Sequence, residues 1–454
     1  MKVSLKMAAL SLVLLCSCQA NDGWQDLFNG KDLTGFKQLN GQAPYLVEDG
    51  CLVGVSKTGE PNSFLATEQE YGDFILEFEV LCDPSLNSGV QFRSESRPDY
   101  QNGRVHGYQC EIDPSDRAWS GGVYDEARRG WLMTLLNNKA GQQAYKKTDW
   151  NKYRIEAIGN NIRIWLNGVN TSNLYDDMTP KGLIAFQVHG IGDNTQQEGK
   201  KIKWRNIRIK TENLEAERMQ GTLTPELNLI PNYLTETEKA DGWKLLFDGK
   251  TSTGWHCANK DSFPDRGWTI EDGQMMVHKS QWGGDIVSDG EYSAFELSVE
   301  FKITPGANSG IKYFAVESEK HDIPVFGLEY QILDDQLHPD AKLYTTVPGS
   351  RTLASLYDMM PAADNKRFNG VGSWNRAIIK VYPNNHVEHW LNDVKALEYD
   401  RGSDAFREMV KGSKYADPSY NKTGPFGEAV KGHILLQDHG DDVAFRSIKI
   451  RELK

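Results

Sequence analysis

Gly23-Trp24-Gln25-Asp26-Leu27-Phe28-Asn29-Gly30-Lys31, closing at Thr34-Gly35-Phe36, returns as Gly242-Trp243-Lys244-Leu245-Leu246-Phe247-Asp248-Gly249-Lys250, closing at Thr253-Gly254-Trp255. The same order of landmarks then runs through both halves. Val47-Glu48-Asp49-Gly50 matches Ile270-Glu271-Asp272-Gly273, and Asn87-Ser88-Gly89-Val90 matches Asn308-Ser309-Gly310-Ile311. Trp150-Asn151 matches Trp374-Asn375, and Trp165-Leu166-Asn167-Gly168 matches Trp390-Leu391-Asn392-Asp393. Toward each end, Phe186-Gln187-Val188-His189-Gly190 matches Leu436-Gln437-Asp438-His439-Gly440. Collinear matches over so long a unit exceed any solenoid period and mark a duplicated domain.

Within each copy the hydrophobic period is two. Phe74 to Val80, Tyr153 to Ala157, Ile162 to Leu166 and Ile202 to Ile209 mostly alternate apolar with polar residues, the pattern of half-buried antiparallel strands. The separators Glu-Asp-Gly, Asn-Ser-Gly and Leu-Asn-Gly are turn chemistry, because Gly and Asn accept positive φ. Many short strands with little helical periodicity predict an all-β protein of two tandem jelly-roll β-sandwich domains. The expected boundaries are a leader at 1–18, a first domain at 19–210, a polar linker at 211–240 and a second domain at 241–454. The linker holds Pro225 and Pro231, with a short helix expected over Asn213 to Met219.

The leader carries Lys2 and Lys6, an apolar run from Met7 to Leu15, then Leu15-Cys16-Ser17-Cys18. It reads as a signal peptide, too short to span a bilayer. Its Leu-x-Ser-Cys ending resembles a bacterial lipobox. Cys18 is the expected lipidation site, with Cys16 and a plain secretory cut near Ala20 as alternatives. The expected location is the cell envelope, as a periplasmic or outer-membrane lipoprotein held to the membrane by its lipid alone. A net charge of −12 over 454 residues, with no block of Lys and Arg, argues against nucleic acid as a partner. Cys51, Cys82, Cys110 and Cys257 lack metal-ligand spacing and read as small apolar strand residues, a Cys82–Cys110 bridge being the other option.

Three strands per copy carry chemistry-bearing side chains two residues apart, hence on one face. In the first copy these are Gln91 with Arg93, Gln109 with Glu111, and Gln187 with His189; in the second they are Lys312, Glu329 with Gln331, and Gln437 with His439. The face would hold a carboxylate, amides, an imidazole and a cation, an acid/base constellation; the competing reading is a solvated face with cross-strand polar pairing. The loop from Ala118 to Trp131, with Tyr124 and Arg128, reads as substrate-facing, and its counterpart holds Tyr357 and Asp358. Arg128 and Arg129 read equally well as ion-pair partners of Asp125 and Glu126. Asp334, Asp335, Asp438, Asp441 and Asp442 supply hard oxygen ligands for a divalent cation, without an EF-hand spacing.

With these motifs assembled, both copies resemble the domain once called DUF1080, the 3-keto-glucoside 1,2-lyase, 3-keto-2-hydroxy-glucal hydratase or 3-keto-disaccharide hydrolase family, with a concanavalin-like jelly roll. The strings that carry the resemblance are Gly327-Leu328-Glu329-Tyr330-Gln331-Ile332-Leu333-Asp334 and Ile434-Leu435-Leu436-Gln437-Asp438-His439-Gly440. The first copy departs from both. The resemblance implies a small oligosaccharide or glycoside substrate and no required cofactor. It assigns acid and base roles to His439 and Glu329, enolate stabilisation to Lys312, and hydroxyl recognition to Gln331 and Gln437, with Tyr357 and Asp358 in reserve. His189, Glu111, Gln109, Gln187 and Arg93 take the equivalent places in the first copy, near Tyr124 and Arg128. A non-catalytic glycan-binding lipoprotein and an ordinary two-carboxylate glycosidase are the competing functions.

Overall fold

The computed structural model describes residues 23–318, 324–343 and 345–454, so the leader with Cys16 and Cys18 lies outside the described residues. The chain divides into two compact units that meet between Leu227 and Asn228. Each is a two-sheet antiparallel jelly-roll sandwich.

In the first unit one sheet runs, in spatial order, through strands 169–175, 161–166, 151–158, 74–82, 201–210, 51–55 and 45–48. The facing sheet runs 130–133, 123–126, 106–112, 88–95, 183–188, 63–67 and 36–40. Between them Phe78 stacks on Tyr153 with centroids 5.2 Å apart, and Phe186 meets both Phe78 and Trp204 edge-on. The second unit repeats the plan. Strands 268–271, 274–277, 443–452, 295–303, 375–381, 386–391 and 394–400 form one sheet, and 255–257, 286–292, 432–436, 308–316 and 326–333 the other.

The repeated sequence landmarks turn out to be local fasteners. Asp49-Gly50 and Asp272-Gly273 both have positive φ at the two central positions, the left-handed pair that a two-residue hairpin loop demands. Asn151 and Asn375 each accept from a backbone N–H and from Asn167 or Asn392. Trp150 and Trp374 each carry an arginine on the ring, Arg205 at 3.9 Å and Arg446 at 4.0 Å. The outer polar face of each larger sheet is laced with charge pairs, such as Glu77 with Arg154 and Arg208 and Glu296 with Arg451. Such pairing offsets the cost of burying Glu77, Arg154 and Glu296.

The stretch read as a linker is divided between the units. Met219 N–H donates to Glu156 and Thr224 N–H to Asn170, along the first unit. Asn232 bridges Gly273 and Ser447, and Glu238 pairs with Lys449, on the second. The helix expected over Asn213 to Met219 is a single 3₁₀ turn at Glu215–Glu217, and a capped helix stands instead at Glu236–Ala240. All four described cysteines are buried and free, so the Cys82–Cys110 bridge does not form. Among the described residues no helix is long and apolar enough to cross a membrane.

Candidate active site

The polar side chains of the smaller sheet do face away from the sandwich core, yet they are not solvated. Glu329, Gln331 and Lys312 are all buried, as are Gln91, Gln109, Glu111 and Gln187. Bare sheet faces would leave them in water. Irregular chain covers them instead, which removes the solvated-face reading and makes each charge costly unless it is partnered.

In the second unit Lys312 and Glu329 are directly opposed in register on neighbouring strands, and Gly310 opposes Gln331. Glycine at 310 is required by the site: a Cβ there would lie 2.7 Å from Glu329 Oε1. Gln331, with its amide nitrogen turned toward the carboxylate, donates to Glu329 Oε1 at 3.1 Å and to Ser309 O at 3.0 Å. Lys312 Nζ donates to Asp285 Oδ2 at 3.2 Å. Burial alone would depress this ammonium, but Asp285 and Glu329 outweigh it and hold it charged. Burial pushes the Glu329 carboxyl above the usual range, with Lys312 and Lys414 pulling partly the other way. Desolvation of its ammonium, with Lys312 and Arg351 nearby, pushes Lys414 below an ordinary lysine despite Glu329.

Around this centre Tyr357 donates its backbone N–H to Glu329 O and its hydroxyl to Asp340, and Lys414 Nζ sits 4.3 Å from the centre of its ring. Asp358 takes Arg351 on one oxygen and the Lys414 N–H on the other, so it positions the two cations. Gln437 N–H donates to Gly310 O, and its buried side-chain oxygen has no partner among the described residues. His439 is exposed at the strand end, 6.2 Å from the His338 ring centre, and acts electrostatically on Glu329.

The first unit is not a copy of this centre. Its carboxylate stands two residues along the strand: Gln91 opposes Gln109, and Glu111 opposes Gly89. The Gln109 side chain crosses Gly89, where a Cβ would come within 2.4 Å of it. Burial pushes Glu111 up to about 7 against the pull of Asn87, Gln109 and Arg117. Arg117 reaches Glu111 at 3.2 Å while its guanidinium lies 4.9 Å from the ring centres of both Trp119 and Trp131. Tyr124 opposes Gln109 and packs edge-on against Trp131 at 5.2 Å. Both amide atoms of Gln187 are buried without a partner among the described residues, an arrangement that invites a ligand hydroxyl or water. His189 is exposed, its Nδ1 on Gly190 O at 2.8 Å, and no hydrogen bond among the described residues joins it to Glu111.

One expectation fails here, and Arg128 takes one of the two readings open to it. Arg93 does not share the face of Gln91: it sits at a bulge with φ 44°, and its guanidinium serves Gly72 O, Gly159 O and Asp73. A bulge breaks the alternation from which the shared face was inferred. Arg128 takes the ion-pair role, bound to Asp125 and Thr179 over the Tyr108 ring. Lys414, Asp285 and Arg117 were missed. Lys414 lies in the segment 401–431, where the first copy has only 176–182, and that extra length was the available signal.

For a cation, His338, His439 and Asp441 each offer a ligand atom within 4.8 Å of the others. His338 Nδ1 accepts from Asp340 N–H at 3.1 Å, which leaves the proton of the neutral ring on Nε2 and makes that nitrogen a donor. The aspartates expected to supply oxygen ligands all carry other bonds, and of them only Asp441 also stands in this group. Asp334 and Asp442 accept backbone N–H groups, Asp335 holds Lys366, Asp441 accepts from Asn308, and Asp438 accepts from Gly284 and Gly440.

The model of the 3-keto-alpha-glucoside-1,2-lyase-like domain matches residues 23–210 and again 242–451. A protein of Bacteroides thetaiotaomicron named 3-keto-disaccharide hydrolase is 38% identical over 237 residues, 47% of this chain and 79% of that protein. A crystal structure from Parabacteroides distasonis, provisionally assigned as a glycosyl hydrolase, is 31% identical, covers 50% of this chain and all (100%) of its own, and superposes with a TM-score of 0.43. A second structure from the same organism with the same provisional assignment is 28% identical over 46% of this chain and 99% of its own, with a TM-score of 0.35. With its family model matched twice along its length, the chain belongs to the 3-keto-alpha-glucoside-1,2-lyase-like family and carries two domains of it.

Proposed function

We propose that this chain is an exported, lipid-anchored enzyme that acts on 3-keto-glucosides by elimination and addition across C1 and C2. The observation that carries the reading is the buried pair of Glu329 and Lys312, with Lys414 as a further cation acting on the same carboxylate. A ketone at C3 acidifies the C2 hydrogen. Glu329, its carboxyl raised by burial, is suited to take that proton. The electron pair left on C2 moves into an enolate whose oxygen needs a fixed positive charge, and Lys312, locked by Asp285, supplies one. Collapse of the enolate breaks the C1–O bond. The leaving oxygen takes a proton from His439, giving the alcohol and a 2-hydroxy-3-keto-glucal. Addition of water at C1 of that enone, with the proton returned to C2, gives the 3-keto sugar, so lyase and hydratase steps together amount to hydrolysis.

This route needs no cofactor. A divalent cation at His338, His439 and Asp441 would polarise an oxygen beside His439, once the His338 ring is turned or re-protonated to free a lone pair. A two-carboxylate glycosidase is less favoured, because Asp285, the acid that shares Lys312 with Glu329, is committed to Lys312 and the Asp438 N–H. Mass spectrometry of products from 3-keto-glucosides and the matching unoxidised glucosides tests the reading. Release from the keto substrate alone is expected. Release from both supports an ordinary hydrolase, and release from neither a glycan-binding module.

A further inference from the structure

The segment from His278 to Asp285 joins strand 274–277 to strand 286–292 and is fastened along its length to residues 438–442. Lys279 N–H donates to Asp442 at 2.8 Å, Ser280 N–H to Gly440 O at 2.9 Å and Gly284 N–H to Asp438 at 3.0 Å, while Asp438 N–H donates to Asp285 at 2.9 Å. At its end Asp285 holds Lys312. In its middle stands Trp282, in left-handed backbone (φ 51°) and with 60% of its surface exposed.

Both features of Trp282 run against the usual preferences of a large aromatic residue. A bulky side chain avoids positive φ, and so large an apolar ring is normally kept from water. The bonds on either side over-determine its place, as happens where strain serves a site. The ring lies against Gly440: a Cβ on that glycine would come within 2.6 Å of the indole. Gly440 follows His439 directly. The exposed indole therefore packs on the residue that follows the imidazole assigned to the leaving oxygen, and its segment ends at the aspartate that holds Lys312. In the first unit a Cβ on the matching Gly190 would come within 2.9 Å of Glu60 O, and the nearest atoms around it are backbone of residues 60–62 rather than an aromatic ring.

We propose that Trp282 is a stacking platform for the leaving-group ring of the substrate, and that this ring is the second pyranose of a disaccharide. Axial C–H groups give a pyranose an apolar face, and a flat indole covers that face without reading each hydroxyl. A leaving group without a ring would gain nothing from such a platform. The inference rests on the lyase reading for the identity of the bond broken, but the platform itself is tested without turnover.

Saturation-transfer NMR on the full-length chain with cellobiose, which carries no ketone, reports contact ring by ring. The reducing-end ring should show strong saturation that falls at least about threefold in Trp282→Ala and survives in Trp282→Phe. In steady-state kinetics, Trp282→Ala should raise KM for 3-keto-cellobiose about tenfold more than for methyl 3-keto-glucoside. No saturation in the unaltered chain, equal loss from both rings, or equal rises in KM would overturn the platform. A chain that turns over neither keto substrate while keeping the Trp282-dependent saturation would sink the lyase reading and leave the platform standing.

Discussion

Lys312 and Glu329 stand opposite one another on adjacent antiparallel strands, both buried, and each has a different supporter: Asp285 for the ammonium and Gln331 for the carboxyl. The two residues are therefore not interchangeable in what their loss does. Lys312→Ala strips a charge from Asp285 and leaves two acids near one another, so it should cost roughly 3–5 kcal/mol of stability as well as activity. Glu329→Gln keeps the shape and removes the base. It should lower turnover of a 3-keto-glucoside by about 10² to 10⁴ while moving the melting temperature little. Turnover and melting curves for the two variants, measured together, check this split; a destabilised Glu329→Gln would make the residue structural.

The division of residues 211–240 between the units leads to a second expectation. A fragment beginning at Asn228 keeps the Asn232 bridge and the Glu238–Lys449 pair, and one beginning at Asp241 loses both. Both fragments should fold. The longer should melt higher by several degrees, since about 1 kcal/mol shifts a domain of this size by roughly 2–4 °C. Equal melting temperatures would show that the 228–240 contacts contribute nothing.

How far the sequence reached follows from the range of the forces involved. Strands, hairpins and the duplication were legible because alternation and the left-handed Asp49-Gly50 and Asp272-Gly273 turns are local. The capped helix at Glu236–Ala240 was legible too and was overlooked, for Thr235 and Glu238 form a capping box. The burial of the polar face was not legible. It depends on chain far away in sequence, as when Lys414 arrives over Glu329 from the segment 401–431. Arg93 was misplaced for the opposite reason, because one bulged residue reverses the face that strict alternation assigns.

The lipid anchor is a separate proposal, resting on the Leu15-Cys16-Ser17-Cys18 string. Cys18→Ser should leave the protein exported and move it from the membrane fraction to the soluble one, because the lipid is its only strong membrane contact in this reading. Fractionation followed by immunoblotting reads the outcome. Continued membrane retention would point to Cys16 or to another form of attachment.

Glu111 gives the first unit a pH dependence of its own. Its carboxyl is pushed up to about 7 in the fold, above the ordinary value of 4.5 it would have in the unfolded chain. Between those two values the native state binds more protons than the unfolded state, so stability falls as pH rises from 4.5 toward 7 and levels off above it. The contribution is at most about 1.4 kcal/mol per pH unit. The donors Asn87, Gln109 and Arg117 reduce the loss without reversing it. Glu111→Gln removes the titrating group, so the variant should lose this part of the slope while its melting temperature below pH 4.5 changes little. Any activity of the first unit that uses Glu111 as an acid should fall through the same neutral range, whereas one that uses it as a base should rise. Denaturation midpoints of the full chain and the Glu111→Gln variant, taken at half-unit steps from pH 4 to 8, decide the matter. Parallel curves would mean that Glu111 titrates at its ordinary value, and the first unit would then lack a carboxyl poised for proton transfer near neutrality.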